Sequence, residues 1–257
     1  MRYARVNLPG ATAPLKAAVT QDGQSLDLGG RQLAIPEGGF APAVEGWIYG
    51  PLLNETSTLE RFGEQLHAKP YEAPPTVPVL YFKPKNTHAG HGARIKLPAY
   101  AERVELGASV GLVFGRVVAR VSPDKALDAV AGYTIVLDLS VPNASVYRPP
   151  IQEKCFDLSC PVGPWVVEKA EIADPAALVV RTLVNGKQVA ERRFHDLVRS
   201  PRQLVADVTD FMTLSEGDVL TLGYPVGAVP TAGRGDTIRI EIDGLGALDC
   251  IIEEGAA

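Results

Sequence analysis

The sequence predicts an α+β fold that is mainly β, and three observations predict it. Short runs of β-branched and aromatic residues recur along the chain, 25 Gly and 21 Pro punctuate its 257 residues, and helical spacing is confined to three short stretches. No strand–helix–strand alternation appears, which excludes a doubly wound parallel sheet. There is also no P-loop, no GxSxG elbow and no Rossmann fingerprint.

In chain order, RYARVNL, KAAVTQ and SLDLGGRQLAI alternate apolar and polar residues between Gly, Pro and Asp punctuation, as a small antiparallel unit does. Leu59, Phe62 and Leu66 then fall at helical spacing, with Ser57 and Glu60 placed as a capping box. The Pro-dense segment AKPYEAPPTVP at 68–78 extends neither a helix nor a central strand, so a domain boundary is expected there: a small N-terminal domain over 1–75 and a larger one over 76–257. VLYFKP opens the second part. VELGASVGLVFGRVVARV follows, its Gly107, Gly111 and Gly115 read as bends or bulges among β-branched neighbours. Asp124 to Val130 reads as a short helix, and ALVVRTLVNGKQVAERRF as a hairpin turning at Asn185–Gly186. A helix from Pro201 is capped by Ser200 with Gln203, and the strands DVLTLGYP and TIRIEIDGLGALDCIIEE flank GRGD at 233–236, a hairpin turn by context.

Hydrophobic content of 46% and charged content of 21% suit a globular chain with a sizeable core. A net charge of −5 without a Lys/Arg-dense run excludes a nucleic-acid partner and leaves Arg192–Arg193 as a solvated pair. MRYARVNLPG has no apolar h-region and no run approaches membrane length, so a cytoplasmic protein with no membrane partner is expected. Three Cys, not spaced as a zinc site, fit free thiols in a reducing compartment.

Chemistry concentrates in GYTIVLDLSVPNASVYRPPIQEKCFD, which holds Asp138, Arg148, Lys154 and Asp157 within 132–157. A carboxylate near the end of an apolar strand is either a turn cap, here for SVPN, or a buried charge that needs partners. Arg148 can bind a carboxylate bidentately or pair with Glu153 or Asp157 at the surface. His88 and His91 lie in a Gly-rich loop and lack a third ligand, His195 and Asp196 point to opposite faces of any strand, and Cys155 and Cys160 read as space-filling.

FKPKNT at 82–87, VAGYTIVLDLS at 130–140, YRPPIQEKCFD at 147–157, CPVGPW at 160–165, VNGK at 184–187, LSEGDVLTLGYPVG at 214–227 and GDTIRIEIDGLGAL at 235–248 together resemble the fumarylacetoacetate hydrolase family. YEAPPTVPVLYFKPKNT, VELGASVGLVFGR and SVYRPPIQEKC look most like its branch in homoprotocatechuate (4-hydroxyphenylacetate) degradation. The resemblance implies a mixed β-roll behind a small N-terminal domain. It also implies an unsaturated 2-oxo or enol dicarboxylate substrate that is decarboxylated and isomerised, and a homo-oligomer or a hetero-oligomer with a metal-bearing sister subunit. It casts Lys154 and Asp138 as catalytic, and Arg148, Lys83, Asn86 and Tyr133 as substrate-binding. The family's Mg²⁺ or Mn²⁺ would rest on Asp138 alone, because the Glu-x-Glu positions read Gly107 and Ser109. Glu105, two residues before Gly107, is the one substitute ligand on that strand face. Thr58 stands where many members carry an acid/base His, so Lys154 and Arg148 are left to stabilise an enolate if no metal does. A non-catalytic partner of a sister subunit and a carbon–carbon hydrolase of 1,3-diketones are the alternatives.

Overall fold

The computed structural model describes residues 1–69, 72–143 and 150–254. In chain order the strands are β1 (Arg2–Val6), β2 (Leu15–Val19), β3 (Ser25–Asp27), β4 (Gln32–Ala34), β5 (Ile48–Leu52), β6 (Val79–Lys83), β7 (His88–Ala89), β8 (Ala93–Ile95), β9 (Arg103–Phe114) and β10 (Val130–Ser140). They continue with β11 (Cys160–Glu168), β12 (Val179–Val184), β13 (Lys187–Arg193), β14 (Val219–Thr221), β15 (Thr231–Gly233), β16 (Thr237–Ile242) and β17 (Gly246–Ile252). The α-helices among the described residues are α1 (Thr56–Phe62), α2 (Ile151–Lys154) and α3 (Pro201–Phe211).

A larger sheet runs β4-β3-β2-β1-β11-β10-β9-β14-β5-β6, with β15 on β9 and β7 on β11, and a second sheet runs β13-β12-β16-β17-β8. The fold is mainly β, as the residue pattern predicts, and its sheets are mixed, as the resemblance implies. Its spine is the antiparallel pair β9–β10, apolar on both faces because each strand packs against protein on either side. Leu106, Val110, Leu112, Ile135, Leu137 and Leu139 are fully buried there. The register sets Asp138 opposite Gly107 and Ser140 opposite Glu105.

Several local expectations hold and others are corrected. Asn185 and Gly186 both take positive φ, as a type I′ turn needs, and the Ser200 side chain accepts from the Gln203 amide to cap α3. The Asp124–Val130 helix shrinks to a 3₁₀ turn over Ala126–Ala129. Ser57 does not cap α1: Glu55 is its N-cap residue, and the Ser57 hydroxyl donates to Asp196 instead. The 233–236 turn does not close a hairpin. Asp236 caps the Gly233 amide while the chain passes from β15 in one sheet to β16 in the other. No described helix is long and apolar enough to cross a membrane.

Candidate functional site

β10 delivers Asp138 to the inside of the fold, where its side chain is 2% exposed. It does not cap the following turn. Lys83 Nζ lies 2.8 Å from Oδ1, Lys154 Nζ 2.7 Å from Oδ2, and the Tyr224 hydroxyl donates to Oδ2 at 2.8 Å. The Ser140 hydroxyl also donates to Oδ1 at 3.2 Å. Burial works against the charge on Asp138, but Lys154 and Lys83 together outweigh it and hold the carboxyl well below the usual range. Tyr224 and Tyr81 are pushed well above the ordinary phenol value by burial and then by the Asp138 charge, so both stay neutral.

Each lysine arrives differently. Lys83 ends β6 and is fully buried, donating also to the Leu139 and Lys154 carbonyls and to Ser159 Oγ. Lys154 ends α2, which Val141 ties to β10 through the Glu153 carbonyl at 2.9 Å. Its ammonium donates to Ser140 Oγ at 2.8 Å and to Tyr224 Oη at 2.6 Å and lies 4.3 Å from the centre of the Tyr81 ring. Two ammonium groups thus share one carboxylate, leaving one formal positive charge in the cluster.

That excess charge faces a cavity of about 370 Å³. Leu52, Leu53, Phe62, Leu66, Val79 and Val226 form much of its apolar wall, while Lys154, Ser140, Glu105 and Glu153 supply ionisable and polar groups. Burial raises the proton affinity of Glu105, with Lys154 pulling the other way.

Tyr224 is held in place from a distance. It follows Gly223, whose φ of +91° and close approach to Glu55 Oε1 and Pro51 exclude a side chain. The Gly223 carbonyl accepts from Ser109 Oγ and from Arg192 Nη1, both at 2.7 Å. Arg192 is therefore not a solvated residue: its Nη2 pairs with the buried Glu55 at 2.7 Å. Burial pushes the Glu55 carboxyl up to about 7, with Arg192 offsetting part of the effect.

The structure brings together Lys83, Asp138 and Lys154, and it separates the others. Asn86 bonds the Cys155 carbonyl at 3.0 Å and Asp157 at 2.8 Å, so it ties two loops and does not line the cavity. Tyr133 is five residues from Asp138 on β10, hence on the opposite face, and packs in the core. Arg148 lies outside the described residues. His88 bonds the Lys83 carbonyl and His91 the Asp249 amide, so they do not act as a ligand pair. Tyr224, Ser140 and the Glu55–Arg192 pair went unread. Tyr224 sits inside the motif LSEGDVLTLGYPVG, but nothing in its spacing shows that it reaches back to β10.

The divalent metal implied by the resemblance does not fit these residues. Gly107 offers no ligand, and a Cβ built there overlaps the Tyr224 ring. Ser109 is engaged by Gly223, and each Asp138 oxygen already faces an ammonium. A hard cation needs several oxygen ligands, and here it would meet two positive charges within 3 Å of Asp138, with Glu105 two residues along β9 from the Gly107 position. Among the described residues no group of three His, Cys, Asp or Glu is placed to hold a metal.

Comparison with known proteins agrees with the motifs. The family profile "Fumarylacetoacetate (FAA) hydrolase C-terminal" matches residues 48–253. The 4-hydroxyphenylacetate degradation bifunctional isomerase/decarboxylase of Salmonella dublin is 36% identical over 206 residues, covering 80% of this chain and 47% of that protein. The chain thus spans about half the length of this curated relative. Two solved structures superpose at a TM-score of 0.79 with full coverage of both chains: 5-carboxymethyl-2-hydroxymuconate delta-isomerase from Mycobacterium smegmatis, 27% identical, and 2-hydroxyhepta-2,4-diene-1,7-dioate isomerase from Mycobacterium marinum, 26% identical.

Proposed function

Because the chain belongs to the fumarylacetoacetate hydrolase family, we propose that it binds a short unsaturated 2-oxo or enol dicarboxylate and moves a proton along it. In this reading it is a subunit of a decarboxylase and isomerase of 4-hydroxyphenylacetate breakdown, acting on 5-oxopent-3-ene-1,2,5-tricarboxylate and 2-hydroxyhepta-2,4-diene-1,7-dioate. The observation that carries the reading is the charge imbalance around Asp138. Two buried ammonium groups share the Asp138 carboxylate, so Lys154 can attract a further anion, and a dicarboxylate entering the cavity competes for it with the Glu105 and Glu153 side chains that line the same space.

The chemistry follows from the residues present. A 2-oxo acid that takes the place of Ser140 as an acceptor from Lys154 finds an ammonium where negative charge develops on the C2 oxygen. Electrons left by departing CO₂, or by a departing proton, flow to that oxygen, and the apolar wall keeps water from the carbon chain. Arg148, on its sequence position, is the proposed partner of the far carboxylate. No step is assigned to a metal, and a metal-bearing sister subunit remains part of the proposed assembly.

A second reading has its own support. All three Lys154 donors are engaged by Asp138, Ser140 and Tyr224, and Tyr224 fills the space beside Gly107, which suits a non-catalytic partner. Calorimetry with 2-oxoadipate, together with NMR of its C3 protons in D₂O, separates the two. Binding with exchange supports the enzyme; binding without exchange supports the non-catalytic partner; no binding by a folded protein overturns the site.

A further inference from the structure

The geometry points to Glu105 as the group that takes and returns the proton in this cavity, a role that rests on the ligand class proposed above. Alternate residues of a strand share a face, so Glu105, Gly107 and Ser109 look the same way. Gly107 abuts the Tyr224 ring and Ser109 bonds the Gly223 carbonyl, which fixes that face as the one turned toward the site. Glu105 stands two residues, roughly 7 Å, further along β9 and lines the cavity. It lies directly opposite Ser140, whose hydroxyl accepts from the Lys154 ammonium. Opposed residues of an antiparallel pair have Cβ atoms about 5 Å apart, so a ligand oxygen at Lys154 leaves the ligand's next carbons within reach of the Glu105 carboxylate.

Glu153, the other carboxylate lining the cavity, sits on the four-residue α2 and not on a paired strand, and the remaining alternatives are poorer. No His lines the described part of the cavity, and Thr58, where an acid/base His was expected, is buried off it. Asp138 is held as a carboxylate by two ammonium groups, so its basicity is low. The two phenols stay neutral. Glu105 has its backbone paired on both sides, to Ser140 of β10 and Thr231 of β15, so its carboxylate is presented from a rigid support.

The step is balanced without a co-reactant. The C3–H bond of the 2-oxo acid breaks and its proton passes to a Glu105 oxygen. The electron pair forms the C2–C3 double bond, and the carbonyl π pair moves onto the C2 oxygen beside Lys154. Reversal returns the proton to carbon.

The test is deuterium exchange at C3 of 2-oxoadipate, read by NMR beside calorimetric binding of the same compound, for the whole protein and its Glu105→Gln variant. Glu105→Gln should bind within about threefold of the wild type, exchange about 100-fold or more slowly, and lose the carboxylate inflection from its pH profile. Wild-type exchange in Glu105→Gln overturns the role and leaves the binding reading intact. Loss of binding together with exchange in a folded variant also overturns it, because the residue is then structural. If the glutamine variant does not fold, Glu105→Asp carries the test: slower exchange at unchanged affinity supports the role, and wild-type exchange overturns it. A wild type that binds but does not exchange overturns the proton role alone, and one that does neither overturns both readings.

Discussion

The Tyr224 ring occupies the space into which a side chain at Gly107 would project. Restoring the two carboxylates of a metal site at 107 and 109 is therefore not a local change. Gly107→Glu with Ser109→Glu must displace the tyrosine and break the Ser109 bond to the Gly223 carbonyl. The expected result is a loss of about 3 kcal/mol or more in urea unfolding, with no stoichiometric micromolar Mn²⁺ site by calorimetry. A tight site in this double variant would mean that Tyr224 swings aside at little cost.

The two lysines on Asp138 should fail in different ways. Lys83 is fully enclosed and satisfied by protein groups, so Lys83→Met should destabilise by about 1–3 kcal/mol, because it removes the donor that the buried Asp138 Oδ1, Leu139 carbonyl and Ser159 hydroxyl share. Lys154 borders the cavity, so Lys154→Met should weaken 2-oxoadipate binding by about tenfold or more while the fold survives on the Lys83 pair. Equal stability losses without any change in binding would make both lysines structural.

Stability should carry a slope from Glu55. Its carboxyl is raised from the usual 4.5 to about 7, so the folded state binds that proton more tightly than the unfolded chain. The contribution is complete below pH 4.5, falls as pH rises toward 7, and is flat above. At about 1.4 kcal/mol per unit of pKa it is on the order of 3 kcal/mol. Urea unfolding at about pH 5 and about pH 8 should show this difference in the wild type and lose it in Glu55→Gln. A slope that survives the substitution belongs to another group.

Thiol titration should find one fast cysteine out of three. Burial pushes the Cys160 and Cys250 thiols up to about 12, whereas Cys155 is only half-buried. Ellman's reagent should label Cys155 alone in the native protein and all three in denaturant. Rapid native labelling of Cys160 would show that the wall beneath Asp138 opens.

What the sequence revealed of this site follows the range of the interactions. Asp138 was legible because a charge in a β-branched run stands out locally, whereas Lys154 was legible through the family motif, since by itself a lysine in a Pro-flanked loop reads as a surface residue. Lys83 was legible only through its motif, since nothing nearby shows that it crosses to β10. Tyr133 lies an odd number of residues from Asp138 along β10 and so faces the other way, which a motif match by itself does not show. Arg192 misled for a different reason: two adjacent arginines read as surface, yet the alternation of β13 turns one of them inward to Glu55. The strands, the I′ turn and the α3 cap are short-range and came through. The Ser57–Glu60 box failed because Asp196, distant in sequence, competes for the Ser57 hydroxyl.

The Gly223 carbonyl, gripped by Ser109 of one sheet and Arg192 of the other, also joins the two sheets beside the site. Arg192 lies on β13, the edge strand of the five-stranded sheet, while Tyr224 leaves the twelve-stranded one. The twelve-stranded sheet supplies Asp138, Ser109 and the strand leading to Tyr224, and the five-stranded sheet adds the Arg192 bond. The Gly223 carbonyl is thus a joint between the two sheets, so a shift of one against the other is felt one residue away, at the tyrosine that touches Asp138.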